Sequence, residues 1–255
     1  MLAITREVSP SVANCELTHL ARAPIDYATA VAQHHDYIET LRRLGCTVET
    51  IAGDADYPDC VFIEDTAIVV DELATITRPG AESRRGERAA VAEALRKHRP
   101  LSSIEAPGTI DGGDVLCIGR HFYIGVSERT NAEGIAQFQA LVAPFDYRVT
   151  SVAMHDCLHL KTAVTQVGPE LVLANRSWFD ATALDRGTTI IDVDASEPFA
   201  ANALLVGGSV VYPRAFPRTA QRLRERGIDL HLVDASELAK AEGGVTCCSL
   251  LLRAE

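Results

Sequence analysis

Apolar residues in this chain come in short paired runs, and a helical face follows most pairs. FIEDTAIVV and ATITRPG are two β-branched runs parted by a turn, and SRRGERAAVAEALRKH behind them has helical spacing. DVLCIGRHFYIGVS opens a second unit, which continues with the helix NAEGIAQFQALV and a strand near DYRVTSVA. HLKTAVTQVGPELVLANRS opens a third, and NALLVGGSVVYPR, PRTAQRLRERG and IDLHLVDA make a fourth. Each unit reads strand, tight turn, strand, helix, strand. The turns DEL, GRH, GPE and GGS supply the Gly, Pro and acidic residues that reversals favour. The fifth unit is split: CCSLLLR at the C-terminus gives its first strand and LAITRE at the N-terminus its second. DYATAVAQHHDYIETLRRLG and CTVETIA complete it.

Arg6, Arg78, Arg129, Arg176 and Arg214 close the five second strands. Repeats of about 40–50 residues predict a ring or propeller, although strand–helix alternation is also common in other α/β proteins. The first strands begin near Asp65, Asp111, His159, Ala201 and Cys247, at separations of 46, 48, 42 and 46 residues. In a pseudo-symmetric ring such positions converge on the axis. Two carboxylates, an imidazole and a thiol would then share one pocket, able both to hold a cation and to attack it. Neighbours on a strand face opposite ways, so Cys247 is expected to face the pocket and Cys248 the core.

At 255 residues with 47% hydrophobic and 23% charged residues, composition is that of a globular protein, expected here as one domain over 1–255. A net charge of −11 argues against nucleic acid or an anionic membrane as partner and suits a small cationic substrate. No apolar run nears the ~20 residues of a membrane span, and MLAITREVSPSVANCE lacks the features of a signal peptide, so a cytoplasmic location is expected. The seven cysteines are odd in number and are expected as free thiols. No CxxC or HxxxH pair offers metal-ligand spacing, and neither metal nor cofactor is expected. A homodimer is compatible with the sequence.

PDCVFIEDTA, ITRPGAESRRGE, IDGGDVL, SERTNAEG, CLHLKT and GGVTCCSL, in that order, resemble the dimethylarginine dimethylaminohydrolases of the guanidino-group modifying superfamily. The resemblance implies a five-bladed α/β propeller, the pentein fold. It also implies hydrolysis of Nω,Nω-dimethylarginine and Nω-monomethylarginine to citrulline and a methylated amine, without metal or cofactor. By the same resemblance Cys247 is the nucleophile, His159 the general acid and base, and Asp111 the acidic member of the triad. Glu64 and Asp65 match carboxylates near the guanidinium, with Phe62 beside them. Arg84 and Arg129 match the pair that grips the substrate α-carboxylate, with Asp59 nearby, and Leu17 and Ala241 match contacts to the amino-acid end.

The chemistry asks for such groups. A guanidinium is a poor electrophile with a poor leaving group, so it must be held, attacked by a thiolate and protonated on departure. Rival readings are an arginine or agmatine deiminase or another substituted-guanidine hydrolase, an amidinotransferase, and a non-catalytic propeller that binds without reacting. Deiminases of the superfamily typically carry Asp where this chain has Lys161. With Lys161 expected to turn its ammonium away, methylated arginines are the expected substrates.

Overall fold

The computed structural model describes residues 1–253. Its strands form five sheets of three. In every sheet the middle strand runs antiparallel to the strand before it and parallel to the strand after it. The first sheet comprises Ala67–Val69, Ala74–Ile76 and Leu101–Ser103, and the second Val115–Ile118, His121–Val126 and Arg148–Ala153. The third holds Val164–Gly168, Leu171–Ala174 and Thr189–Asp192, and the fourth Leu204–Val206, Ser209–Pro213 and Asp229–Val233. The fifth joins the two ends of the chain, with Ser249–Leu252 and Thr47–Ile51 on either side of Leu2–Arg6. There Leu2 lies opposite Leu252 and Thr5 opposite Ser249. The architecture is a five-bladed α/β propeller.

A parallel pair needs a long crossover, and helices supply it in four units: Arg88–Leu95, Ala132–Val142, Pro217–Glu225 and Tyr27–Arg43. Tyr27–Arg43 shows why. Asp26 caps its start by accepting the Thr29 N–H at 2.7 Å, and Ala30, His34, Tyr37, Ile38 and Leu41 bury one face. Gly45, at φ +85°, ends it in the left-handed region that glycine tolerates.

The third unit departs from the expected uniform pattern. Between Ala174 and Thr189 it has a single short turn, Ala181–Ala183, in place of a helix. Asn175 Oδ1 accepts the Ser177 N–H and Asp180 Oδ1 the Thr182 N–H. Such local bonds offer the backbone an alternative to helix. The five arginines end or closely follow the middle strands but share no role. Arg6 is buried and donates to the Ala52 and Glu87 carbonyls, whereas Arg176 pairs with Asp192 at the surface.

Apolar packing lies at the boundaries between sheets. Ile68 of the first sheet packs with Phe122 and Ile124 of the second, and Leu116 and Tyr123 of the second with Val164 and Val172 of the third. Val167 and Leu173 meet Val210 and Tyr212, Leu204 and Val211 join Ala3 and Cys248, and Ile4 and Leu250 join Ala74 and Ile76. Among the described residues no helix is long and apolar enough to cross a membrane.

Candidate active site

The residues around the axis come from helical turns placed just before the first strands, not from the strands themselves. Asp65 lies in the turn Ile63–Thr66, Asp111 precedes the turn Gly112–Asp114, and His159 precedes Leu160–Ala163. Cys247 lies in a turn closed by its own N–H on the Gly244 carbonyl at 3.2 Å. The strand alternation expected for Cys247 and Cys248 therefore does not apply. Turns fit here because the centre is crowded. A Cβ on Gly112 would come 2.0 Å from the Glu64 carbonyl oxygen, and one on Gly113 would come 2.6 Å from His159 Nδ1. In the fourth unit the residue facing inward is Asn202, one position after the expected Ala201.

Asp111 is fully buried; its Oδ1 accepts the Gly80 N–H at 2.9 Å, and its Oδ2 lies 3.1 Å from His159 Nε2. His159 Nδ1 faces Asp65 Oδ1 at 4.0 Å. Burial alone would lower the imidazole pKa, but the charges of Asp65, Asp111 and Asp114 outweigh it and raise it to about 9. His159 is thus a cation at neutral pH. Asp114 supports it from behind: its Oδ1 accepts the Leu160 N–H at 3.0 Å, and its Oδ2 accepts from Ser127 and Thr130. Burial raises the Asp114 carboxyl to about 6.

Cys247 is buried, and its Sγ accepts the Gly244 N–H at 3.3 Å. Burial, with the charges of Glu64 and Asp65, pushes its thiol up to about 12. At neutral pH the thiol stays protonated until further positive charge is brought beside it. Cys247 and His159 together line two cavities. The larger, about 310 Å³, also has Glu64, Lys161, Asn202, Phe199 and Phe216 in its walls. The smaller, about 30 Å³, is walled by Asp59, Phe62, Asp65, Arg84, Arg129 and Ala241. Cys248 faces a separate small cavity beside His34 and Tyr37.

Two expected placements need correction. Lys161 does not turn away: its Nζ donates to Glu64 Oε1 at 2.5 Å, because that buried carboxylate needs a counter-charge. Arg84 does not stand open to a carboxylate. Its Nε and Nη2 bond the Glu87 carboxylate, Nη2 also reaches the Asp59 and Phe62 carbonyls, and Nη1 donates to Asp65 Oδ2 at 2.6 Å. Of its five N–H groups, one on Nη1 remains for a ligand. Burial opposes ionisation of Asp65, but His159 and Arg84 reverse this and hold its carboxyl below the ordinary range.

Arg129 is half-buried and donates to the Thr18 hydroxyl at 3.0 Å. Asp59 Oδ2 accepts the Glu16 N–H, and burial raises its pKa. Leu17 is half-buried between Glu16, which lines the smaller cavity, and His19, which lines the larger. Ligand atoms of Asp65, Asp111 and His159 lie within 4.8 Å of one another, a spacing a metal ion could bridge. Both Asp65 oxygens, however, already accept hydrogen bonds, from Arg84 and from the Gly113 N–H.

Sequence reasoning missed four residues of this site. Thr246 and Asn202 link the Cys247 turn to Glu64, Glu87 holds Arg84, and Glu242 binds the loop at 18–20. Asn202 is next to a ring position and Thr246 next to the thiol, so adjacency was the available signal. Glu87 and Glu242 had none.

Residues 21–248 match the family model described as N,N dimethylarginine dimethylhydrolase, eukaryotic. A dimethylarginine dimethylaminohydrolase of Streptomyces coelicolor is 39% identical, covering 98% of this chain and 96% of its own. That of Pseudomonas aeruginosa is 37% identical, over 91% of both. A solved Cys-to-Ser mutant of the Pseudomonas protein, complexed with citrulline, superposes with a TM-score of 0.91 at 36% identity, over 97% of both chains. An arginine dihydrolase domain from cyanobacteria shares the fold, with a TM-score of 0.87 at 18% identity over 97% of this chain and 96% of its own. Matches of this length and identity leave no choice of family: the chain belongs to the dimethylarginine dimethylaminohydrolases.

Proposed function

We propose that this protein hydrolyses Nω,Nω-dimethyl-L-arginine and Nω-monomethyl-L-arginine to L-citrulline and dimethylamine or methylamine. Cys247 serves as nucleophile, His159 as acid and then base, and Asp111 as the carboxylate that orients His159. The observation that carries this reading is the convergence of Cys247, His159 and Asp111 beside Asp65, where a cationic group can meet a thiol. The smaller cavity, with Arg129, Asp59 and the remaining Nη1 hydrogen of Arg84, suits the amino-acid end of the substrate. Family membership supports the same assignment.

The electrostatics suggest an order of events. A thiol held near 12 ionises, giving its proton to solvent, when a guanidinium cation enters between it and Asp65. The thiolate attacks the guanidinium carbon, forming a C–S bond. His159, already protonated, gives its proton to the substituted nitrogen, and the amine leaves. Nε2 is tied to Asp111, so Nδ1 is the nitrogen that moves the proton. Neutral His159 then takes a proton from water and hydroxide adds to the thiouronium carbon; the C–S bond breaks as the new hydroxyl gives its proton to the departing sulfur, and citrulline leaves with Cys247 again a thiol. His159 ends as it began.

Lys161 neutralises Glu64, leaving Asp65 as the carboxylate available to N–H groups of the guanidinium. With fewer acceptors to satisfy, loss of donors on methylation costs little. The test is product analysis with dimethylarginine, monomethylarginine and arginine, scoring citrulline and released amine. Methylated substrates should give the higher kcat/KM, Cys247→Ser should release neither product, and Cys248→Ser should remain active. A ratio favouring arginine, or turnover surviving in Cys247→Ser, overturns the reading.

A further inference from the structure

Asn202 reaches the Cys247 turn from the fourth unit and makes two hydrogen bonds there and a third to Lys161. Its Nδ2 donates to the Lys161 carbonyl at 3.1 Å and to Thr246 Oγ1 at 3.0 Å, and its Oδ1 accepts the Thr246 N–H at 3.1 Å. A carbonyl can only accept and an amide N–H can only donate, so these two partners fix which end of the Asn202 amide is which. Nδ2 must therefore donate to the Thr246 hydroxyl. The hydroxyl's own single hydrogen has to go elsewhere.

Two acceptors are in place. Glu64 Oε2 is 2.7 Å from Thr246 Oγ1, and Cys247 Sγ is 4.0 Å from it. The groups around the sulfur are otherwise the carboxylates of Glu64 and Asp65, which oppose ionisation, and the Gly244 N–H, which favours it. Lys161 sits on Glu64, and His159 lines the same cavities as the thiol. Close packing holds the arrangement: a Cβ on Gly244 would come 2.4 Å from the Asn202 side chain.

We propose that Asn202 and Thr246 are positioning residues for the nucleophile: Asn202 obliges the Thr246 hydroxyl to donate, to Glu64 at rest and to the Cys247 thiolate during turnover. When the thiol ionises, Glu64 keeps Lys161 as its counter-charge and the hydroxyl turns to the sulfur, and a guanidinium held by Asp65 favours that ionisation. The chain Asn202, Thr246, Glu64 and Lys161 then links arrival of the cation to stabilisation of the thiolate. This inference rests on Cys247 being the nucleophile.

The test reads the sulfur directly. In a Cys248→Ser background, the rate of Cys247 alkylation by iodoacetamide at a fixed pH of about 8 follows the thiolate fraction. Mass spectrometry of the peptide carrying Cys247 measures it. Thr246→Val should slow alkylation about tenfold, the effect of losing one hydrogen bond to a charged group. Thr246→Ser, which keeps the hydroxyl, should alkylate at the wild-type rate. Asn202→Asp keeps the acceptor but loses both donors, and should behave like Thr246→Val. Equal rates in Thr246→Val and wild type, or Thr246→Ser as slow as Thr246→Val, overturn the proposal. If Asn202→Asp fails to fold, the Thr246 pair still decides. Failure of the parent reading shows separately, as turnover that survives Cys247→Ser.

Discussion

His34 sits on the buried face of Tyr27–Arg43, about 5% exposed, with its ring 6.0 Å from that of Tyr37. Its Nε2 is buried with no hydrogen-bond partner among the described residues. Burial, with a small contribution from His35, lowers its pKa from 6.5 to about 4. Between these values the unfolded chain binds a proton that the native protein does not, so stability falls as pH drops from 6.5 towards 4. The full effect is roughly 3 kcal/mol. His34→Leu should remove this dependence, giving a flatter acid limb in denaturant unfolding between pH 7 and 4. A stability difference between variant and wild type that stays constant over that range would count against it. At this scale the sequence was informative where motif and ring position agreed, as at Cys247, His159 and Asp111. It was uninformative about pairing: Lys161 turns to Glu64 and Arg84 to Glu87 because buried charges seek partners that only the fold brings near.

Among elements, paired strands and amphipathic helices were legible because their spacing is regular. The one-turn helices before the first strands were not, since a single turn is too short to show a period. Nor was the segment at 16–22, which lies along both cavities and is held by hydrogen bonds and by Leu17 packed against the core. Glu242 accepts the N–H groups of Thr18, His19 and Leu20 at 3.0, 2.6 and 2.6 Å, and Arg22 donates to the Ala13 and Cys15 carbonyls. Glu242 does this from φ +60°, a conformation unfavourable for a residue with a side chain. Glu242→Ala should leave three amides without an acceptor and free the segment. Hydrogen exchange at 18–20 should rise about tenfold or more, since loop opening is governed by such local bonds. KM should rise more than kcat falls. Unchanged exchange at these amides would show that other contacts hold the segment.

For the whole molecule, the repeat predicted the ring and the split fifth unit predicted its closure, because each unit carries its own strand pattern. What the pattern does not display is where the core lies. Each cluster is shared by two neighbouring sheets, so no sheet has a complete core alone, and destabilising one boundary should weaken the entire ring. Leu250 tests this at the closure. It is buried opposite Ile4 in the fifth sheet and packs with Ala74 and Ile76 of the first. Leu250→Ala should cost about 2–5 kcal/mol. The single tryptophan, Trp178, belongs to the third unit, which does not adjoin the fifth, and stacks edge-on against Phe199 at 4.9 Å. Its fluorescence reports the far side of the ring, while far-ultraviolet circular dichroism reports all five sheets. If the ring unfolds as one unit, Leu250→Ala lowers both midpoints by the same amount in denaturant. A Trp178 transition that keeps its wild-type midpoint while the dichroism transition moves would mean that the sheets unfold separately, and that closure stabilises only its neighbours.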